Sequence, residues 1–377
     1  MFIRGRQENN IMERKKQGTA GKILSYGGSY FGAVVGAGFA SGQEVMQFYT
    51  NYGAVSMFAI VAAMIIFIWI GIKFAAYGNE LHTNTHGPVM KYLCGKYVGK
   101  IFEAAFLFFM FIGFSVMISG GGTTLFQYFG INPYIGRVII AVASVLVVSF
   151  GFAITLKIGG FLGPIIVVFS ILVASIAFFT GTTDFAAADA AIKGADITTS
   201  APNIWISVLI YCSYCVMSNS PILISIGNVE DDKKIRNTGI TAGAVALGVC
   251  LLFINGAMLR NYQVVGTSEI PMVELAGNIW KPLGVIYAVV LVAAIFTVAI
   301  SALYGITSKV TTDDPKKKIG IISAVSICAM VPGFLPFSSL VGTLYPIMGY
   351  MGLIVMASVL YHQLKKMNRK PKNCLAK

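Results

Sequence analysis

Apolar stretches long enough to cross a bilayer recur along nearly the whole chain, separated by short polar and basic segments. At about 20 residues per crossing, they predict ten helices, over residues 24–52, 54–77, 101–127, 136–156, 158–180, 204–228, 238–259, 283–307, 319–336 and 338–362. The ninth is short, and the fourth and fifth are joined by almost no loop. Residues 1–22 are polar and basic with no apolar signal-peptide core, which predicts a disordered cytosolic arm. Residues 363–377 predict a basic cytosolic tail.

Charge sets the orientation. With the N-terminus inside, 24 of the 28 Lys and Arg residues fall on inner segments, and only Arg137, Lys193, Arg260 and Lys281 fall outside. That asymmetry is the positive-inside pattern of a plasma-membrane protein, here a bacterial inner-membrane one with both termini cytoplasmic. It accounts for the net charge of +13 through basic loops facing anionic lipid, with no call on nucleic acid. A hydrophobic fraction of 56%, only 11% charged residues and a mean hydropathy of +0.77 exclude an ordinary soluble domain. The six cysteines include none in a predicted outer loop, so no disulfide framework is implied. The Cys212–Cys215 pair in an apolar helix reads as small packing residues.

The ten spans divide into a first five-helix repeat, 23–180, and a second, 204–362, joined by an outer loop at 181–203. Five is odd, so the second repeat runs inverted relative to the first, as in inverted-repeat transporters. The first helix carries the segment Gly32–Glu44, GAVVGAGFASGQE. Each of Gly32, Gly36, Gly38 and Gly42 costs about 1 kcal/mol of helix relative to Ala. Unwound backbone at membrane depth is tolerated only where it is buried in protein or lines a cavity. The first helix of the second half is interrupted at the corresponding place by Ser218, Asn219, Ser220 and Pro221, where the proline removes a backbone donor. Breaks in helices one and six point to a substrate site; the alternative is that the glycines serve close helix packing.

This arrangement resembles the LeuT-fold, amino acid–polyamine–organocation (APC) superfamily. GAGFASGQE, the QFY that follows and SNSP in helix six resemble the YkvI-like family of bacterial membrane proteins, over about Leu24 to His362. The resemblance implies an all-α integral membrane protein that couples an ion gradient to the movement of a small amine or amino acid. It further implies that the N–H groups of Gly38 to Gly42 form an anion nest. Carbonyls around Val35, Gly36 and Ala37, with those near Met217 and Ser218, would receive an ammonium or metal cation. Ser41, Ser218, Asn219 and Ser220 would supply directional hydrogen bonds. Sodium in such transporters lies between the first-helix break and two adjacent hydroxyl residues of helix eight. Here that helix offers Thr297 followed by Val298, with Ser301 one turn on, so the site over Val35, Thr297 and Ser301 lacks one hydroxyl.

Glu44 is the one carboxylate well inside any predicted span. It begins the outer half-helix, where the helix dipole and burial act on its proton in opposite senses. It reads either as a proton-coupling or amine-pairing group, or as a fixed helix cap or gate. Tyr211, Tyr214, Tyr304 and Tyr345 are candidates to gate a cavity. His82 and His86 are spaced like a metal pair but have no further ligands nearby in sequence. No enzyme motif is present, and no cofactor beyond a coupling ion, H+ or Na+, is called for. The sequence therefore predicts an ion-coupled symporter of a small zwitterion or amine; a membrane nutrient sensor using the same site is the alternative.

Overall fold

The computed structural model describes residues 18–150, 152–194, 199–307 and 314–368. Residues 1–17 of the predicted arm and 369–377 of the tail lie outside it. The described residues are helical throughout, without strands. The first predicted span is three pieces: α1 (Thr19–Val34), α2 (Ala37–Ser41) and α3 (Gln43–Phe48). A 3-10 turn, Thr50–Tyr52, leads into α4 (Val55–Glu80). Then follow α5 (His86–Phe129), α6 (Pro133–Ser149), α7 (Phe152–Thr180) and the short α8 (Phe185–Gly194). The second half holds α9 (Ile204–Val229), α10 (Lys233–Arg260), α11 (Tyr262–Val265), α12 (Pro271–Ile279), α13 (Lys281–Thr307), α14 (Pro315–Gly333) and α15 (Phe337–Asn368).

Helix starts follow local chemistry. Asn132, Asn203, Asp232 and Asp314 each accept a backbone N–H from the first turn that follows. Pro133, Pro271 and Pro315 stand at first-turn positions, where a missing N–H is harmless. Six described helices, α4, α5, α9, α10, α13 and α15, are long and apolar enough to cross a membrane. The bent pair formed by the end of α7 with α8, at 102°, would make a seventh. The remaining predicted spans are helical but interrupted (α1–α3) or shorter (α6 and α14).

Several boundaries differ from the sequence reading. The third helix starts at His86 rather than 101, because the basic segment before it is helical as well. At about 1.5 Å per residue its 44 residues are far longer than a bilayer core is thick. Gly95, at φ 80°, bends it and sets its first turns apart. The loop 181–203 contains α8, and α15 runs six residues past His362, so the tail begins as helix.

Packing exchanges partners between the halves. The interrupted first span packs on α10, and α4 packs on α9; α5 meets both α13 and α15, and α13 meets α7. Shifting every member by five predicted spans turns the first of these pairings into the second, and the contact of α5 with α15 into that of α13 with α7. The α4–α9 crossing is close enough to exclude side chains. A Cβ on Gly227 would lie 1.8 Å from the Ala75 carbonyl oxygen, and one on Gly78 would lie 2.1 Å from that of Ile224.

Candidate functional site

The break in the first span is built by its sequence and closed by its neighbours. Val35 and Gly36 leave helical geometry, and Gly42 takes φ 86°, a left-handed conformation that glycine adopts without strain. A side chain there would also strike Met258 and Met272. The freed carbonyls find partners. Ser41 Oγ donates to Gly38 O at 2.7 Å, Tyr287 Oη to Ala40 O at 2.7 Å, and Ser207 Oγ to Phe48 O at 2.7 Å. Thr50 donates to Asn255 Oδ1 at 2.8 Å, and Asn255 donates to Ser56 at 2.8 Å, which fixes the C-terminal end of the interrupted span to α10. Irregular backbone is thus kept satisfied at depth.

Helix six differs from expectation, because α9 runs unbroken through Pro221. The residues that suggested a break do the repair. Ser220 Oγ donates to Met217 O at 3.1 Å, replacing the bond the proline cannot make. Ser218 Oγ donates to Cys215 O at 3.0 Å and Asn219 Nδ2 to the same oxygen at 2.8 Å. Only one of the two corresponding helices is interrupted.

A cavity of about 210 Å³ lies against this break. It brings together Gly36, Ala37 and Gly38 with Glu44, Ser218 and Asn219, as the sequence placed them. It does not include Val35, Ser41, Gly42, Met217, Ser220, Thr297 or Ser301. Ser41 and Ser220 are occupied by their own backbone, and Gly42 packs on methionines. Thr297 donates to Ala294 O and Ser301 to Thr297 O, both at 2.8 Å, so the two hydroxyls serve their own helix. Of the amides expected to form an anion nest over Gly38–Gly42, that of Ala40 bonds Gly36 O and that of Gly42 bonds Phe39 O.

The Glu44 side chain, 4% exposed, folds back over Gly38 and accepts from Tyr214 Oη at 3.4 Å. A Cβ on Gly38 would meet Glu44 Oε1 at 2.0 Å, so the glycine is there to admit the carboxylate. Among the described residues Glu44 is the one acidic residue lining the cavity, and no Lys, Arg or His lines it. Tyr214 stacks on Tyr345 at 4.7 Å and takes the edge of Phe109 at 5.6 Å. Tyr211 extends the aromatic cluster towards Phe48 and Tyr49. On the other side of α3, Gln43, Gln47 and Asn51 line a separate cavity of about 660 Å³.

Sequence reasoning missed the α5 wall, Phe109, Met110, Gly113 and Met117, and the α13 residues Val298 and Ala302. Apolar residues on an apolar helix carry no mark of which face meets a cavity; the small Gly113 was the sole available signal. Among the described residues no group of three or more His, Cys, Asp or Glu is placed to hold a metal ion.

An all-helical membrane chain with its first span interrupted at a buried cavity has the LeuT-type transporter fold. It aligns with MhsT, solved in complex with L-phenylalanine, at a TM-score of 0.57 and 16% identity, covering 90% of this chain and 91% of that one. It also aligns with a Na+-coupled sialic acid symporter in its substrate-bound, outward-open state, at a TM-score of 0.54 and 15% identity, covering 89% and 78%. In sequence the chain is similar to the membrane protein YkvI of Bacillus subtilis (strain 168), 26% identical over 334 residues, 88% of this chain and 93% of YkvI. It is likewise similar to YyaD of the same organism, 27% identical over 339 residues, 88% and 94%. The resemblance first suggested by GAGFASGQE thus extends over nearly the full length of a multi-pass membrane protein. No family model matches the chain.

Proposed function

We propose that this protein is a secondary active transporter in which a small amino acid or related zwitterion or amine binds beside Glu44 and crosses by alternating access. The observation that carries this reading is that, among the described residues, the cavity is lined by one carboxylate and no cationic side chain, set against glycine backbone. A charge at that depth costs at least about 2.5–3.5 kcal/mol, which a partner of opposite sign offsets. An ammonium group supplies one, and the faces of Tyr214 and Tyr345 suit its positive charge. The exchange of helix partners supports ten spans in two inverted halves, and the distribution of Lys and Arg supports cytoplasmic termini.

Protons are the favoured coupling ion. Glu44 is a titratable group in the cavity, while Thr297 and Ser301 already bond their own helix. The fold of the Na+-coupled sialic acid symporter supports sodium as the second reading. Thermal unfolding of purified protein against a panel of amino acids and amines identifies the ligand, because binding stabilises the folded state by mass action. Counterflow of that ligand in liposomes then tests transport. Binding without counterflow would establish the sensor alternative, and no stabilisation by any amine or amino acid would reject the substrate class.

A further inference from the structure

A cavity of about 930 Å³ lies at the cytoplasmic ends of α4, α5, α10 and α15, away from Glu44. Five cationic side chains line it: Lys73, Lys233, Arg236, Lys365 and Lys366. Every carboxylate nearby already has a partner. Glu80 pairs with Lys366 at 2.8 Å. Glu230 pairs with Lys22 at 3.0 Å and accepts from Tyr26. Asp231 accepts from Asn79 Nδ2, and Asp232 caps the first amides of α10. Lys73, Lys233 and Lys365 make no ion pair among the described residues. Arg236 is only 4% exposed; its Nη1 donates to the Glu230 carbonyl at 3.3 Å, but its Nε has no hydrogen-bond acceptor, and the side-chain oxygen of Asn237 has no donor. Ile72, Ala76, Tyr77 and Tyr92 give the wall an apolar side, and Asn79, Glu80, His362 and Gln363 complete its polar part.

We infer that this cavity binds the headgroup of an anionic phospholipid, its phosphodiester held by Lys73, Lys233 and Arg236 and a headgroup hydroxyl by Asn237. Lysines without an ion-pair partner beside a buried guanidinium whose Nε lacks an acceptor are the chemistry that receives phosphate oxygens. The apolar side of the wall, Ile72, Ala76, Tyr77 and Tyr92 at the end of membrane-spanning helices, favours a lipid over a soluble phosphate. Basic pockets between transmembrane helices on the cytoplasmic side hold anionic lipids in this way. Neither the substrate class nor the coupling ion enters the argument.

The test is native mass spectrometry of the full chain released from bilayers of phosphatidylglycerol and phosphatidylcholine, with lipid titration to give apparent affinities. Wild type is expected to retain one phosphatidylglycerol. Lys73→Gln with Lys233→Gln should weaken that binding about 30-fold, equivalent to about 1 kcal/mol per lysine. Lys96→Gln with Lys100→Gln removes the same charge outside the cavity and should leave binding unchanged. The single Lys365→Gln gives a smaller loss and serves if the double variant does not fold. Equal retention by all variants, equal retention of phosphatidylcholine, or displacement of the lipid by millimolar inorganic phosphate would each overturn the inference.

Discussion

Replacing Gly38 by alanine adds one methyl group where the Glu44 carboxylate now sits. The new Cβ would lie 2.0 Å from Oε1, and ordinary contact begins at 3.4 Å, so the carboxylate must retreat by about 1.4 Å. Glu44 Cδ at 2.9 Å and Cγ at 3.2 Å must give as well, but all three atoms belong to one flexible side chain, so the fold should survive. The added bulk costs about 1–3 kcal/mol, and alanine regains about 1 kcal/mol of helix propensity within α2. Binding should suffer more: losing a hydrogen bond to a charged group costs about 1.5–3 kcal/mol, or 10- to 150-fold in affinity. Glu44→Asp shortens the side chain by one C–C bond, about 1.5 Å, close to the retreat required. In the Gly38→Ala background it should therefore restore part of the affinity that each change alone removes. Ligand titration followed by thermal unfolding gives all four affinities of the cycle. Effects that add to within about 0.3–0.5 kcal/mol would show that the two residues are not coupled and refute this geometry.

Glu44→Gln should retain exchange of labelled substrate across liposomes yet lose uptake driven by a pH gradient, while Thr297→Ala transports normally; sodium-dependent uptake lost in Thr297→Ala alone would reverse the assignment of the coupling ion. Gly78→Leu or Gly227→Leu should abolish monodisperse protein on size exclusion, because the inserted side chain meets backbone at the α4–α9 crossing. Gly32→Ala, with open space around its Cβ, should leave stability unchanged or raise it by up to about 1 kcal/mol in thermal unfolding. In a cysteine-free background, Asp184→Cys should react with an impermeant thiol reagent in intact cells and Lys233→Cys should not; the reverse result would invert the topology.

Much of this fold was legible because each span must be apolar along its length, and a break within one stands out against that background. Gly36, Gly38 and Gly42 announced the interruption, and Glu44 announced the cavity, since an acid is expensive at that depth. Pro221 misled because its effect depends on what stands beside it. The hydroxyl of Ser220 restores the lost bond, so the same SNSP that reads as a breaker repairs the helix. Thr297 and Ser301 could not be assigned from sequence for a related reason: a hydroxyl on a helix can serve its own backbone or an ion, and only geometry separates the two. The α5 wall was invisible because lipid and cavity select the same apolar side chains.

The unbroken course of α9 changes how the molecule can move. A helix interrupted at its middle lets its two halves swing separately, whereas one continuous rod must tilt as a whole. Gly227 and Gly78 clamp this rod to α4 close to one end, backbone against backbone. That clamp is a fulcrum. With about 1.5 Å of rise per residue, Ile204 stands about 32 Å from it and Tyr214 about 17 Å. A tilt of about 5° on these arms would carry the far end of α9 nearly 3 Å and Tyr214 about 1.5 Å. The tyrosine that touches Glu44 would then ride the same lever as the Ile204 end of α9, so that a small swing there and a change in the grip on the carboxylate become one motion.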